Sequence, residues 1–398
     1  MIKSSAPMKK SNSFLIILIL CIWFVISFVT NILGTILPMV INDFKLSLTL
    51  AAFLPFSFFL AYGIMSIPAG IIVERYGGKT SLLAAFVLTF IGALLFVLFP
   101  TYVVVLSSLF IIGLGMAMLQ VIILPLMREV GGEKNYAFNS VLAQLVFGLA
   151  SFDSPFILTG MMRHYSYTWS SFYFIFAIVF ALMLVIISFV RFPKIELKED
   201  EKAGAVQNYI ELIKNKYVIL FFLGIIAYVG TEQGLADWMS QFLKTYHNVD
   251  PAGTGAATVA WFWGLMTVGC LLGLIIVKLI DSKIMLRIFA VLAIITLAVA
   301  LFAPVQYSVI AFPSCGFAIS IMFSIVFSLA LNSVEKHHGA FSGILCTGIF
   351  GGALVPFIIG WVGDWVGLRA SLCILFLTIA YILSISFWAK PLVTNKTI

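Results

Sequence analysis

Charge is what this chain has least of. It carries 23 Lys and Arg with 16 Asp and Glu in 398 residues, 10% in all, where a soluble domain carries roughly a quarter. So few charges cannot clothe a chain of this length in water, which excludes an ordinary soluble protein. Histidine is also sparse: His164, His247, His337 and His338 fall between the apolar runs, and neither an HExxH nor a GxSxG pattern occurs. No Ser/Lys or Asp pair stands at a reactive spacing inside an apolar run, so an enzyme is not expected. The five cysteines (Cys21, Cys270, Cys315, Cys346, Cys373) are scattered, each within an apolar run. That excludes a disulfide framework and a CxxC metal site, and no metal or organic cofactor is expected.

What is abundant is apolar surface. Hydrophobic residues make up 62% of the chain and aromatic residues 15%, a composition suited to a bilayer. A hydrocarbon core about 30 Å thick takes about 20 apolar residues of helix, because no backbone polar group is left unpaired there. That ruler gives twelve spans: 13–37, 49–73, 80–99, 102–127, 137–160, 169–192, 217–243, 254–278, 284–303, 306–332, 341–363 and 368–390. They are apolar all round and too long for barrel strands, so the expectation is an all-α membrane protein. The first run is too long for a signal peptide core and is expected to be retained.

With the start of the chain in the cytoplasm, 19 of the 23 Lys and Arg fall on the inner side, leaving Lys45, Arg163, Lys244 and Arg369 outside. Such a split orients a multi-pass protein, here with both termini cytoplasmic in a cell (inner) membrane. The net charge of +7 then belongs to inner loops facing anionic lipid, not to nucleic acid. The longest polar stretch lies between spans six and seven. It divides the chain into a six-helix bundle over 1–192, a cytoplasmic linker over 193–216 and a second six-helix bundle over 217–398. The halves repeat each other: 138–150 reads FNSVLAQLVFGLA and 341–353 reads FSGILCTGIFGGA, each soon followed by Pro-Phe-Ile at Pro155 and Pro356. Two pseudo-symmetric six-helix bundles are the plan of transporters that bind solute near the midplane and work as alternating-access machines.

After the second span comes Gly70, then Glu74-Arg75, Gly77 and Lys79. This pattern resembles the loop motif of the major facilitator superfamily. The resemblance implies a gating role: a glycine where helices approach, an acid set against the positive end of another helix, here the eleventh near Ala340, and a cytoplasmic basic pair. Glu74 stands where the family usually has Asp. Further segments, Ile67-Pro68-Ala69-Gly70, Leu142-Ala143-Gln144, Tyr228-Val229-Gly230, Phe327-Ser328-Leu329 and Gly351 to Pro356, resemble the fucose-galactose-glucose permeases in the same order along the chain. The resemblance implies a monosaccharide permease, with proton coupling as one mode and the direction of transport left open; a monomer is expected.

Polar groups inside spans are the site candidates, since an ionisable residue at midplane costs about 3 kcal/mol on insertion scales unless it faces a cavity or a partner. For substrate they are Asn31, Gln120, Gln144, Glu232 and Gln233, with Trp261, beside Trp238 and Trp263, available to stack on a sugar face. Amides suit sugar hydroxyls, and the resemblance places Gln144 in the substrate pathway. It also places the family's two key carboxylates at Gly34 and Gln120, and an arginine of span eight at Cys270, so the coupling group must lie elsewhere. Glu232 and Asp153 are the candidates, with Asp237 further along span seven; glycines flank Glu232, and Asp153 alternatively serves the backbone beside Pro155. The coupling ion is H+ or Na+. Drug efflux, uniport and a sensor that binds without transporting remain open on the sequence.

Overall fold

The computed structural model describes residues 10–165, 168–193, 206–277, 279–334 and 336–390. Of the expected linker, 194–205 lie outside the described residues, as do 1–9 and 391–398 at the termini. Twelve helices are long and apolar enough to cross a membrane: α1 Ser13–Phe44, α2 Leu48–Tyr76, α3 Gly78–Leu98, α4 Tyr102–Gly131, α5 Phe138–His164, α6 Ser171–Phe189, α7 Lys216–His247, α8 Pro251–Ile276, α9 Ser282–Phe302, α10 Val305–Leu331, α11 Ala340–Val366 and α12 Leu368–Trp388. A short helix, Val206–Ile213, precedes α7; the membrane face on which it lies is termed the linker side and the opposite face the far side.

Hydropathy placed most ends within a few residues. The exception is α1, expected to stop at 37, which runs to Phe44 and ends where Lys45 takes a left-handed conformation (φ 50°). An apolar count stops at Asn42-Asp43, but a helix can continue past the hydrocarbon wherever water or partners satisfy its polar residues; Asp43 accepts a hydrogen bond from the Trp169 indole (2.5 Å). The tight connections use capping residues and glycine. Ser47 accepts from the Leu50 amide and starts α2, and Asp281 accepts from the Lys283 and Ile284 amides and starts α9. Gly77, between α2 and α3, and Gly367, between α11 and α12, stand at φ 79° and 84°, a region that a Cβ makes costly.

The helices pack as two equivalent sets. In the first half α1 lies on α5, α2 and α3 on α4, and α3 on α6. In the second half α7 lies on α11, α8 and α9 on α10, and α9 on α12, the same list shifted by six. The main contacts between halves obey the same rule: α2 against α11, α5 against α8, and α1 against α7. Outward faces of these helices present bare apolar side chains such as Leu182, Ile288 and Leu377, as hydrocarbon contact requires. The chain is a multi-pass, all-helical membrane protein.

Candidate functional site

Between the halves lies a cavity of about 660 Å³. Its linker-side wall comprises Ser140 at the start of α5, Leu274 at the end of α8, and Ser282 and Met285 at the start of α9, so it opens toward the linker side. The far side is shut. There Asp364 of α11 accepts from the Leu48 and Thr49 amides (2.8 and 2.9 Å) and the Thr49 hydroxyl (2.5 Å) of α2, capping that helix from across the interface. Below the cap, the Phe53 and Phe357 rings pack tilted at 58° with centres 4.9 Å apart, and Phe56 joins them. On the equivalent contact, Arg163 of α5 pairs with Asp250 (3.6 Å) and donates to the Ala252 carbonyl (3.2 Å) at the start of α8. The third contact seals the centre. A Cβ built on Gly34 of α1 would lie 2.0 Å from the Ala236 carbonyl oxygen of α7, so the two backbones touch there only because residue 34 is glycine.

Helix breaks surround the cavity. The helix of α1 is interrupted at Ile32, α10 at Ser320-Ile321, and α11 tightens into a 3-10 turn over Gly348–Phe350. Such breaks are tolerated at membrane depth only where protein or a cavity satisfies the freed groups. At Ser320 one satisfaction is visible: its carbonyl accepts from the Cys270 thiol (3.1 Å).

Five of the six substrate candidates line the cavity: Asn31, Gln120, Gln144, Glu232 and Gln233. Asn31 donates through Nδ2 to Ser151 of α5 (2.7 Å), which shares a 2.7 Å bond with Ser27. It therefore ties α1 to α5 while facing the cavity. Gln120, Gln144 and Gln233 make no hydrogen bond among the described residues, so their amides are free for a solute. Among the described residues Glu232 is the sole ionisable carboxylate or basic group in the lining, with Tyr228 one turn earlier and Cys270 of α8 close by. No Lys or Arg among the described residues reaches the cavity wall.

Two candidates lie elsewhere. Trp261 is half exposed on α8 and packs its edge against Phe152, outside the cavity, while Trp238 is fully buried with its indole donating to the Pro356 carbonyl (3.1 Å). The tryptophan trio is spread around α7 and α8 because its members differ in helical phase, so no stacking platform forms from it. Asp153, half-buried in α5, is not in the lining either. The aromatic faces of the cavity are instead Trp23, Phe59, Tyr62, Phe147, Tyr228 and Phe323. Trp23 was legible in principle: with Ser27 and Asn31 it repeats every four residues, the signature of one helix face.

The loop motif lies at the linker-side end of α2. Lys79 donates to the Ser188 carbonyl at the end of α6 (2.7 Å), a cation on a helix C-terminus. Tyr209 of the short helix has its phenol pKa raised, first by burial and then by the Glu74 charge, and its hydroxyl lies 3.3 Å from where a Cβ of Gly343 in α11 would be. Tyr209 thus stands between the Glu74 charge and α11 at Gly343. Gly70 differs from expectation: nothing lies within 4 Å of a Cβ there. With the cavity open to this side, the helices the glycine would let approach stand apart.

Comparison with known proteins gives a coherent picture. The chain is 28% identical over 392 residues to a glucose/galactose transporter of Brucella abortus, spanning 94% of this chain and 93% of that one. It is 25% identical to the L-fucose-proton symporter of Escherichia coli, over 90% of this chain and 89% of the relative. A crystal structure of the Escherichia coli fucose:proton symporter superposes with a TM-score of 0.68 at 19% identity, covering 96% of this chain and all of the other. The Major Facilitator Superfamily profile matches residues 19–352. Twelve helices repeating six by six around one central cavity, matched by that profile over most of their length, make this chain a member of the major facilitator superfamily, a transporter and not an enzyme.

Proposed function

We propose that the chain carries a neutral monosaccharide, a hexose or deoxyhexose, across a cell membrane by alternating access. The observation that carries this reading is the cavity wall. Three unpaired amides (Gln120, Gln144, Gln233), Asn31 and six aromatic faces line it, with no cation among the described residues, which suits a solute that is all hydroxyls on one face and C–H on the other. Its volume lies within the usual range for small-molecule sites, about 300 to 1,000 Å³. The names of the glucose/galactose and fucose relatives support the same substrate class. We further propose that the linker side faces the cytoplasm, supported by the distribution of Lys and Arg. In that orientation the structure is the inward-open state of a monomer in the cell (inner) membrane, with both termini cytoplasmic. Proton symport through Glu232, the one acid in the cavity wall among the described residues, is the proposed coupling.

Reconstituted vesicles test this directly. Radiolabelled D-glucose, D-galactose and L-fucose should give saturable uptake for at least one sugar, driven by an inward proton gradient. Glu232→Gln should remove the gradient-driven accumulation yet keep exchange between preloaded compartments. Uptake indifferent to both proton and sodium gradients would identify a uniporter, and no sugar flux or exchange at all would end the sugar reading.

A further inference from the structure

Asp237 is used by nothing described so far. It sits on α7 five residues beyond Glu232, about 7 Å further toward the far side at 1.5 Å per residue. It is 2% exposed, and its Oδ2 is buried without a hydrogen-bond partner. Its backbone lies against Gly34 of α1, where the two halves touch. Lys45 stands at the end of α1 and His247 ten residues beyond Asp237 on α7, and the other charged groups on the packed elements are engaged elsewhere. Asp43 accepts from the Trp169 indole, Lys244 donates to the Pro38 carbonyl, Asp250 pairs with Arg163, Asp364 caps α2, and the Arg369 guanidinium lies over the Phe242 and Tyr246 rings. Among the described residues none of these groups bonds to Asp237.

We infer that Asp237 is a proton-binding site within the far-side seal, distinct from Glu232: the seal closes on the protonated acid and releases that proton when the halves part. An ionised carboxylate with an unbonded oxygen is too costly to enclose in a contact that contains no countercharge. As a neutral acid, Asp237 can be enclosed. Parting α1 from α7 wets it, and the far-side-open state then binds one proton fewer. By linkage, the ratio of open to closed molecules rises about tenfold per pH unit wherever that proton is lost on opening. Among the described residues no group of three His, Cys, Asp or Glu is placed to hold a metal, and the sodium arm of the test separates a proton from sodium. The inference does not depend on the sugar reading or on Glu232.

The test needs no substrate. Val103 and Tyr307 are exposed at the far-side ends of the two halves, 69% and 58%. Both become cysteines in a full-length chain whose five native cysteines are replaced by Ser or Ala. Spin labels there report the far-side opening in nanodiscs between pH 5 and 9. Expected is a longer-distance population that grows with pH in the otherwise unaltered chain, stays small and flat in Asp237→Asn, and still responds to pH in Glu232→Gln. Sodium at fixed pH should leave it unchanged. A flat profile without the Asp237 change, the same pH response in Asp237→Asn, a response lost in Glu232→Gln instead, or closure by sodium would each overturn the inference. If Asp237→Asn does not purify folded, Asp237→Ser takes its place, and the profile of the unaltered Asp237 decides alone if neither folds.

Discussion

The two outer contacts between the halves occupy equivalent places in the repeat and are held by different physics. Where α2 meets α11, the Asp364 carboxylate takes both first-turn amides of α2, where a helix presents its positive end. Gly360 brings the α11 backbone so close that a Cβ would lie 2.6 Å from both the Leu48 carbonyl oxygen and the Ala52 methyl. Where α5 meets α8, the tie is an ion pair at 3.6 Å between side chains 60% and 63% exposed. The close approaches there are made against side chains: a Cβ on Gly264 would meet the Phe152 ring at 2.7 Å, and one on Gly148 the Thr267 hydroxyl at 2.0 Å. One closure is built from backbone and cannot yield, and the other from side chains that can. Repeat symmetry therefore conserves which helices meet, but not how tightly.

Substitutions that fill or untie each contact should separate the two. The largest effect is expected from Gly360→Val, which drives a side chain into backbone. Overpacking costs about 1 to 3 kcal/mol, so the closing equilibrium should shift by roughly five- to 150-fold toward the far-side-open state, read as label distances between Val103 and Tyr307. Gly264→Val should shift it several-fold less, because the Phe152 ring can turn aside; equal effects would contradict the contrast. Next comes Asp364→Ala. Losing a helix cap costs about 1 kcal/mol, a several-fold loss of closed population, and Asp364→Asn should restore most of it. Smallest is Arg163→Ala. An exposed pair is worth about 0 to 1 kcal/mol, so a shift of less than about fivefold is expected, vanishing in 1 M salt. A large, salt-insensitive effect there would make the contact as rigid as its partner.

Much of this was legible in the chain. The spans follow from apolar runs that leave hydrocarbon-facing helices no alternative, and Asn31, Gln120, Gln144, Glu232 and Gln233 were found by asking which polar groups sit inside those runs. Membrane burial makes each of them expensive unless it faces a cavity or a partner. The same reasoning failed for Trp261 and Asp153. Their types suggested a site, but facing a cavity depends on helical phase and tilt, which composition does not carry. Trp23, Tyr62 and Phe323 went unnoticed for the complementary reason: aromatic residues are ordinary in an apolar span until neighbouring helices part around them.

By itself, the sequence determined the solvent, the number of crossings, the six-plus-six repeat and a short roster of polar groups, because each of these is set by local hydropathy and spacing. Only the tertiary structure decided that Gly34 would bring α1 against α7 and shut Asp237 between them. It alone decided which of two equivalent contacts would close on backbone and which on side chains, and that the cavity would stand open to one side with Gly70 facing empty space. Those outcomes depend on how two rigid bundles meet, and that relation belongs to pairs of residues from 89 to 316 positions apart, joined through the helices and not through the chain.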